Sequence, residues 1–146
     1  MSERARPRMA VVGTGAISQV VHVPILAERD DVELRVLADS DRAKAASVAE
    51  RFGAADVCSP EEVFRRDDVD AVLVCTPNHH HEDQALAALE AGKHVFVERP
   101  MALTADGARR VLAAARSAGV RLVAGMPHRF RPEVSALRSF VAGGEL

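Results

Sequence analysis

Residues 8–21, R-M-A-V-V-G-T-G-A-I-S-Q-V-V, contain the passage from strand to helix that decides the fold. The apolar run from Met9 to Val12 predicts a strand buried on both faces, and a helical pattern starts after the glycines that follow. Gly13 permits the tight turn, and Gly15 has no Cβ to keep a pyrophosphate away from the backbone. A helix that opens at Ala16 presents unpaired N–H groups and partial positive charge to a phosphate.

Two further residues bear on this phosphate-binding turn. Ser18 stands where the dinucleotide fingerprint has its third glycine, and a small serine can still allow close packing of helix against strand. Asp39 lies 24 residues after Gly15, at the predicted carboxyl end of the second strand. An acid there accepts hydrogen bonds from a ribose diol and repels a 2′-phosphate, which favours NAD over NADP. Arg42 and Lys44 keep NADP open, and Asp39 as a turn or N-cap acid is the structural alternative.

Composition limits the possible classes of protein. The 146 residues correspond to one domain, and the net charge of −2 offers no general attraction to nucleic acid or anionic membrane. Aromatic residues are scarce, which argues against a base-stacking surface. The cysteines, Cys58 and Cys75, are too few for a disulfide framework, so a reducing, cytoplasmic location is expected. No apolar run approaches membrane-spanning length, and Gly13 and Gly15 interrupt the run that imitates a signal peptide.

The chain alternates predicted strands and helices. Strands are expected at residues 9–12, 32–38, 55–58, 70–75, 93–97 and 120–124. Helices are expected from residue 16 to a break at Pro24, then through residue 29, and at 41–52, 60–66, 80–91, 105–118 and 132–141. Strands separated by helices imply right-handed crossovers. The sequence therefore predicts an α/β fold: a Rossmann-type doubly wound parallel sheet in three αβα layers.

Five ordered motifs together resemble one known family. They are G-T-G-A-I-S, L-A-D-S-D-R, D-A-V-L-V-C-T-P-N-H-H-H, A-G-K-H-V-F-V-E-R-P and M-P-H-R-F-R-P. Their order and nature resemble the nucleotide-binding half of the glucose–fructose oxidoreductase and inositol dehydrogenase family (Gfo/Idh/MocA). The resemblance implies an oxidoreductase that transfers a hydride between NAD(P) and a hydroxyl or carbonyl carbon of a sugar, cyclitol or related polyol.

The resemblance also implies which residues bind the dinucleotide. The pyrophosphate would lie against the turn and the helix start, and the adenosine ribose at the end of the second strand. The dinucleotide cleft would be lined after the fourth strand, with His81 opening the next helix, and Glu98 would face the nicotinamide side. The implied cofactor-binding residues are Gly13, Gly15, Ala16, Ile17, Asp39, Ser40, Arg42, Thr76, Pro77, Asn78, His81, Glu98 and Arg99.

Arg99 is the implied catalytic residue, and it departs from the family pattern. The Glu-Lys-Pro signature of the family is Glu98-Arg99-Pro100 here, and by resemblance Pro100 follows a cis peptide bond. An arginine can donate hydrogen bonds and charge to a developing alkoxide, but it cannot lose its proton at working pH. Arg99 is therefore expected to orient substrate without acting as the base. A non-catalytic dinucleotide-binding sensor or regulatory module is the alternative function.

Several other residues have side chains that could bind a metal or react, but the sequence favours structural roles for them. His79, His80 and His81 diverge around a helix start and lack a further ligand at suitable spacing, so no metal site is predicted. Cys75 ends an apolar strand and is expected to pack in the core. His22 is expected on a helix face near the edge of the cofactor, as neither acid nor base. Arg129 and Phe130 match the family's Arg-Phe element.

The resemblance finally divides the chain. Residues 1–126 are expected to form the NAD(P)-binding Rossmann domain, and residues 127–146 a connecting segment and helix leading to a C-terminal substrate domain absent from this sequence. The chain is thus expected to be part of a longer protein, homo-oligomeric if it has that domain, or a lone cofactor module. The residues present are expected to bind cofactor with little or no turnover.

Overall fold

Six parallel strands form one sheet in the computed structural model, which describes residues 6–144. The strands follow the order β3-β2-β1-β4-β5-β6 across the sheet. Their bounds are β1 Arg8–Val12, β2 Glu33–Ala38, β3 Asp56–Cys58, β4 Ala71–Val74, β5 His94–Val97 and β6 Leu122–Ala124. The chain runs outward from β1 in both directions, so the predicted doubly wound Rossmann-type sheet is confirmed. The outer predicted domain limits, residues 1 and 146, lie outside the described residues.

Within residues 6–144, six α-helices connect or follow the strands. They are α1 Val23–Glu28, α2 Arg42–Phe52, α3 Pro60–Val63, α4 His81–Glu90, α5 Ala105–Ala118 and α6 Pro132–Ala142. Their caps match the sequence signals. The Ser59 hydroxyl accepts from the Glu62 N–H in a capping box, and the Thr104 hydroxyl accepts from the Gly107 N–H. Gly53 and Gly119 end α2 and α5 in the left-handed conformation.

The predicted helix break at Pro24 is wrong. The helix that starts at Ala16 passes through a π-turn, Ser18–His22, and continues directly into α1. His22 and Val23 keep right-handed helical backbone angles, and the Val23 N–H donates to the Ser18 carbonyl five residues earlier. The wider π-turn lets the chain pass to Pro24, which has no N–H to donate, without ending the helix.

The helix predicted to reach residue 66 is also too long. α3 ends at Val63, and the Arg65 and Arg66 N–H groups donate three residues back, to Glu62 and Val63. These tighter bonds convert the helix into turns. The Arg66 guanidinium there pairs with Asp56 of β3 and with Asp68 of the loop before β4.

Apolar side chains cover both faces of the sheet. On one face, Val12, Val36 and Val72 pack with Leu89 of α4 and Val111 of α5. On the other face, β1, β2 and β4 present a second set, which packs with residues of α1 and α2: Val11, Leu37, Leu73, Val23 and Val48. The predicted three-layer arrangement is therefore present, and the strands are buried on both sides because period-two alternation gives each face its own core.

Candidate functional site

The glycine turn lies where the strand order reverses, between β1 and its neighbours β2 and β4. Gly13 has φ +93°, and a Cβ there would lie 2.7 Å from the carbonyl carbon and oxygen of Cys75. The turn therefore packs directly against the backbone at the end of β4. Around Gly15, by contrast, the position of a Cβ has no atom within 4 Å. That open space adjoins the start of the helix, where a pyrophosphate could approach the backbone closely.

Ser18 fits the close packing expected of it and also bonds the helix to the turn. It is fully buried, and its hydroxyl donates a hydrogen bond to the Gly13 carbonyl. A glycine at this position would pack closely without that bond. Ser18 therefore replaces the third glycine with a residue whose hydroxyl forms a hydrogen bond between the first turn of the helix and the glycine loop.

Asp39 directly follows β2 and carries the densest hydrogen bonding of the site. Its Oδ2 accepts from the Thr14 backbone N–H and hydroxyl, both at 2.7 Å, and lies 2.9 Å from Lys44 Nζ. Its Oδ1 accepts from the Asp41 N–H at 3.0 Å. Burial by itself would raise the pKa of Asp39, but the donors from Lys44, Asp41 and Thr14 together hold that pKa well below its ordinary value.

Of the two structural alternatives for Asp39, the turn acid is observed, because its Oδ1 accepts from the Asp41 N–H two residues on, and the N-cap is wrong. Asp41 is the N-cap of α2, and its side chain accepts from the Lys44 N–H. Asp39 instead ties the glycine loop to the end of β2. Ser40 and Arg42 follow it with exposed side chains.

The residues after β4 form the wall opposite Asp39. The Thr76 hydroxyl donates to Gln84 Oε1 at 2.6 Å, and Pro77 and Asn78 are exposed. His81 is 1% exposed, and its ring nitrogens lie 2.7 Å from the Thr76 carbonyl and 2.8 Å from the Pro100 carbonyl. Its ring thus connects the loops that follow β4 and β5. Both nitrogens already have partners within the protein, which the sequence pattern did not indicate.

The loop after β5 contains Glu98, Arg99 and Pro100. The Arg99–Pro100 peptide bond is cis, as the resemblance implied. Arg99 is exposed beside the cleft, and its N–H donates to Glu98 Oε2 at 3.2 Å. Glu98 Oε1 lies 2.7 Å from Nε2 of His22, in the π-turn.

These residues line a continuous cleft along the carboxyl ends of the strands. One part runs past Gly13, Gly15, Asp39 and Ser40 to Thr76 and Pro77. The adjoining part shares Cys75 and Thr76 and is bordered by Ile17, Asn78, His81, Glu98, Arg99, Pro100 and Met126. The structure thus brings nearly all the predicted residues to one cleft. Ala16 and Arg42 lie outside both linings, and the Arg42 guanidinium is 3.5 Å from the Val57 carbonyl.

Among the described residues, the geometry supports neither a cysteine nucleophile, nor a metal site, nor a membrane-spanning helix. Burial raises the pKa of the Cys75 thiol to about 12, which makes it a poor nucleophile. Within residues 6–144, no three His, Cys, Asp or Glu side chains are grouped to hold a metal ion. Over the same residues, no helix combines the length and apolar character needed to cross a bilayer.

Three functional contacts could not be found from spacing. In the sequence Thr14 is only the middle residue of the glycine turn, yet in the fold it is fully buried and donates twice to Asp39. The partners His22 and Glu98 are 76 residues apart in the chain, and Gly125 lies close to the Glu98 carboxylate. Each contact joins residues that are distant in the sequence, so only the folded structure reveals it.

A doubly wound sheet with a glycine turn and a terminal acid at its switch point defines a dinucleotide-binding protein of the Rossmann class. The sequence model of the GFO/IDH/MocA family, described as an oxidoreductase family with an NAD-binding Rossmann fold, matches residues 7–126. The chain belongs to this family.

Known proteins agree with this assignment. The chain is 37% identical over 140 residues to D-glucoside 3-dehydrogenase of Escherichia coli, covering 95% of this chain and 40% of that protein. It is 39% identical over 139 residues to inositol 2-dehydrogenase of Paracoccus denitrificans, covering 92% and 41%. The solved structure of KijD10, a 3-ketoreductase from Actinomadura kijaniata in complex with NADP and TDP-benzene, superposes with a TM-score of 0.88 at 30% identity, covering 96% and 43%. The chain thus spans about two fifths of the length of these relatives.

Proposed function

We propose that this chain is the cofactor-binding part of an NAD(P)-dependent oxidoreductase that acts on a CH–OH or carbonyl carbon of a sugar, cyclitol or related polyol. The observation that carries the proposal is the continuous cleft from the open space at Gly15, past Asp39, to Arg99. The names of the dehydrogenase and reductase relatives support the substrate class.

The residues present fit a dinucleotide. The open space at Gly15 leaves room for a pyrophosphate, and the first-turn N–H groups at Ala16 and Ile17 have no intrahelical acceptor. Asp39 would hold the adenosine ribose, with Ser40 beside it. The walls at Thr76 to Asn78, with His81 behind them, would guide the dinucleotide toward Arg99. When bound, the nicotinamide ring supplies the site that donates or accepts the hydride.

Arg99 has a defined chemical part in this proposal. Its guanidinium orients the substrate oxygen and stabilises negative charge that develops on it. It remains charged throughout, so the hydroxyl proton must be taken by another group. We infer that this group is supplied from outside the 146 residues, which alone should bind cofactor with little or no turnover.

Cofactor choice follows from the surroundings of Asp39. Its carboxylate disfavours a 2′-phosphate, so NAD is expected to bind more tightly than NADP. Lys44, 2.9 Å from that carboxylate, and the exposed Arg42 offset part of this repulsion. Calorimetric titration should therefore give a modest preference for NAD, and Asp39→Asn should reduce the preference. Absence of binding by either dinucleotide would overturn the proposed function.

Replacement of Arg99 by lysine distinguishes the enzyme from the alternative function. In a chain extended to include its second domain, we expect Arg99→Lys to lower turnover on a panel of polyols, because a planar guanidinium donates in a geometry that an ammonium does not reproduce. NAD affinity should change little.

The departure of Arg99 from the family lysine is the observation that favours the alternative, a dinucleotide-binding sensor. A sensor would show no turnover in the native protein, and Arg99→Lys would create or strongly raise activity. That outcome would contradict the catalytic proposal while leaving cofactor binding intact.

A further inference from the structure

The carboxylate of Glu98 lies where three parts of the fold meet: the π-turn, the loop after β5 and the residue that follows β6. Its Oε1 lies 2.7 Å from His22 Nε2, and its Oε2 accepts from the Arg99 N–H at 3.2 Å. The side chains of Glu98 and His22 are only 19% and 15% exposed. Both carboxylate oxygens therefore have partners within the protein, one in the π-turn and one in the loop that contains Arg99.

Gly125 makes room for this carboxylate. It follows β6, and its N–H donates to the Val97 carbonyl at the end of the neighbouring strand. A Cβ on Gly125 would lie 3.0 Å from Glu98 Oε2 and 3.1 Å from Cδ. Because these distances are tighter than ordinary carbon contacts, any side chain at this position would push the carboxylate away from its partners.

His22 is fixed from the other side. It is the last residue of the π-turn, in the helix whose start adjoins the glycine loop. Its ring packs edge-on against Phe96 of β5, with centroids 5.6 Å apart and planes at 63°. The ring therefore has a restricted orientation when its Nε2 meets Glu98. π-turns within helices often occur at functional sites.

We propose that Glu98 is a positioning residue, whose carboxylate, between His22 and Gly125, fixes the Arg99 backbone and joins it to the helix that follows the glycine loop. This inference rests on the proposed function. Glu98 acts through Arg99 and the shape of the cleft. It follows that the nicotinamide end of the cleft depends on Glu98 more strongly than the pyrophosphate and adenosine end does.

The test compares two probes that differ only in the nicotinamide ring, NAD and ADP-ribose. Calorimetric titration gives the ratio of the ADP-ribose dissociation constant to the NAD dissociation constant for each folded variant. We expect Glu98→Gln and Gly125→Ala each to lower this ratio by about fivefold, the change expected when one net hydrogen bond is lost. Glu90→Gln, which removes a carboxylate from an exposed position at the end of α4, should leave the ratio unchanged.

Two substitutions at His22 distinguish a positioning role of Glu98 from a general contribution of Glu98 to the stability of the fold. His22→Ala removes the partner of Glu98 Oε1 and should lower the ratio as Glu98→Gln does. His22→Gln places an amide N–H near the position of Nε2 and should restore most of it. Circular dichroism and thermal melting establish that each variant is folded, and Glu98→Gln, which preserves shape, carries the test if Gly125→Ala does not fold.

Two outcomes overturn the inference while leaving the proposed function intact. One is an unchanged ratio in folded Glu98→Gln. The other is an equal loss of affinity for both probes, which would mean that Glu98 supports the whole domain. If the wild-type chain binds neither probe, the proposed function itself has failed, and the inference fails with it.

Discussion

Gly13 shows how one residue determines the shape of the cleft. It combines a left-handed backbone angle, φ +93°, with direct contact between its backbone and that of Cys75 and Thr76. Side chains are disfavoured at such angles, and here they would also collide with a neighbouring strand. The turn can therefore bring β1 and β4 together only with glycine at this position.

Gly13→Ala should lower the free energy of unfolding much more than a matched substitution that introduces backbone strain without a steric clash. Gly53 also has a positive φ, +74°, but a Cβ there has no atom within 4 Å. We expect Gly53→Ala to lower the free energy of unfolding by about 1–2 kcal/mol and to leave NAD binding intact. Gly13→Ala should cost more than about 3 kcal/mol and abolish binding.

Urea unfolding and calorimetric titration of both variants measure these effects. Equal stability losses for Gly13→Ala and Gly53→Ala would contradict the contact between the turn and β4.

Asp39 couples the cleft to the acid stability of the domain. Its pKa lies below the ordinary value, so its stabilising contribution is complete above the unfolded-state pKa, about 4, and disappears as the pH falls toward the folded-state pKa. Asp39→Asn should therefore lower the free energy of unfolding at pH 7, by about 1–3 kcal/mol for bonds to a charged group. The difference from wild type should shrink below about pH 4.

Urea unfolding at pH 7, 5 and 3.5 measures this difference. Asp68 and Asp70 also have lowered pKa values because of the arginines beside them, but they titrate in both proteins and cancel. A difference that does not change with pH would show that Asp39 stabilises the fold without its charge.

Helix α4 anchors one layer of the core beneath the cleft. Its first residue, His81, connects the loops after β4 and β5, while Ala85, Ala88 and Leu89 are buried against the sheet. The packing of α4 therefore holds the wall of the cleft indirectly. The sequence predicted this helix over residues 80–91, whereas the two carbonyl partners of His81 depended on how the loops approach it.

Leu89→Ala should destabilise the domain, because it weakens the packing of α4 against the sheet. Leu89 is fully buried, and removing its side chain leaves a cavity that costs about 2–5 kcal/mol. Leu112→Ala is the matched control, because Leu112 of α5 is 44% exposed and should cost no more than about 1 kcal/mol. Thermal melting gives both values. A loss at Leu112 as large as that at Leu89 would contradict the assigned core.

At the scale of the whole molecule, residues 127–144 differ from the rest of the described chain. Helix α6 has no buried residue, and Leu137 and Phe140 are 58% and 42% exposed. The family match ends at residue 126, just before this segment. We propose, as the sequence predicted, that the segment connects the Rossmann domain to further structure.

Removing residues 127–146 should leave the Rossmann domain folded. Because α6 buries no side chain in the core, the midpoint of thermal unfolding should change by no more than about 3 °C. NAD affinity should stay within about twofold of that of the whole chain. Differential scanning calorimetry and titration measure both. A large fall in the melting midpoint would show that α6 belongs to the folded unit.

The predictable parts of the fold were those governed by local rules. Alternating apolar residues, Ser59 and Thr104 as caps, and Gly53 and Gly119 as helix ends set elements whose bounds agree with the structure within a few residues. The expected helix break at Pro24 is wrong because the rule for proline assumes α-helical hydrogen bonding. The π-turn before Pro24 has a different bonding pattern. The expected length of α3 is too great, because Arg66 lies beyond its end and pairs with Asp56 and Asp68.

The sequence by itself determined the order of strands and helices, the glycine turn, the acid after the second strand and the family. These features depend on neighbours in the chain, on side-chain period and on backbone freedom at a few glycines. Only the tertiary structure decided that Asp39 meets Thr14 and that Glu98 meets His22 beside Gly125. Those contacts join residues far apart in the chain, because parallel pairing brings the carboxyl ends of the strands to one edge of the sheet.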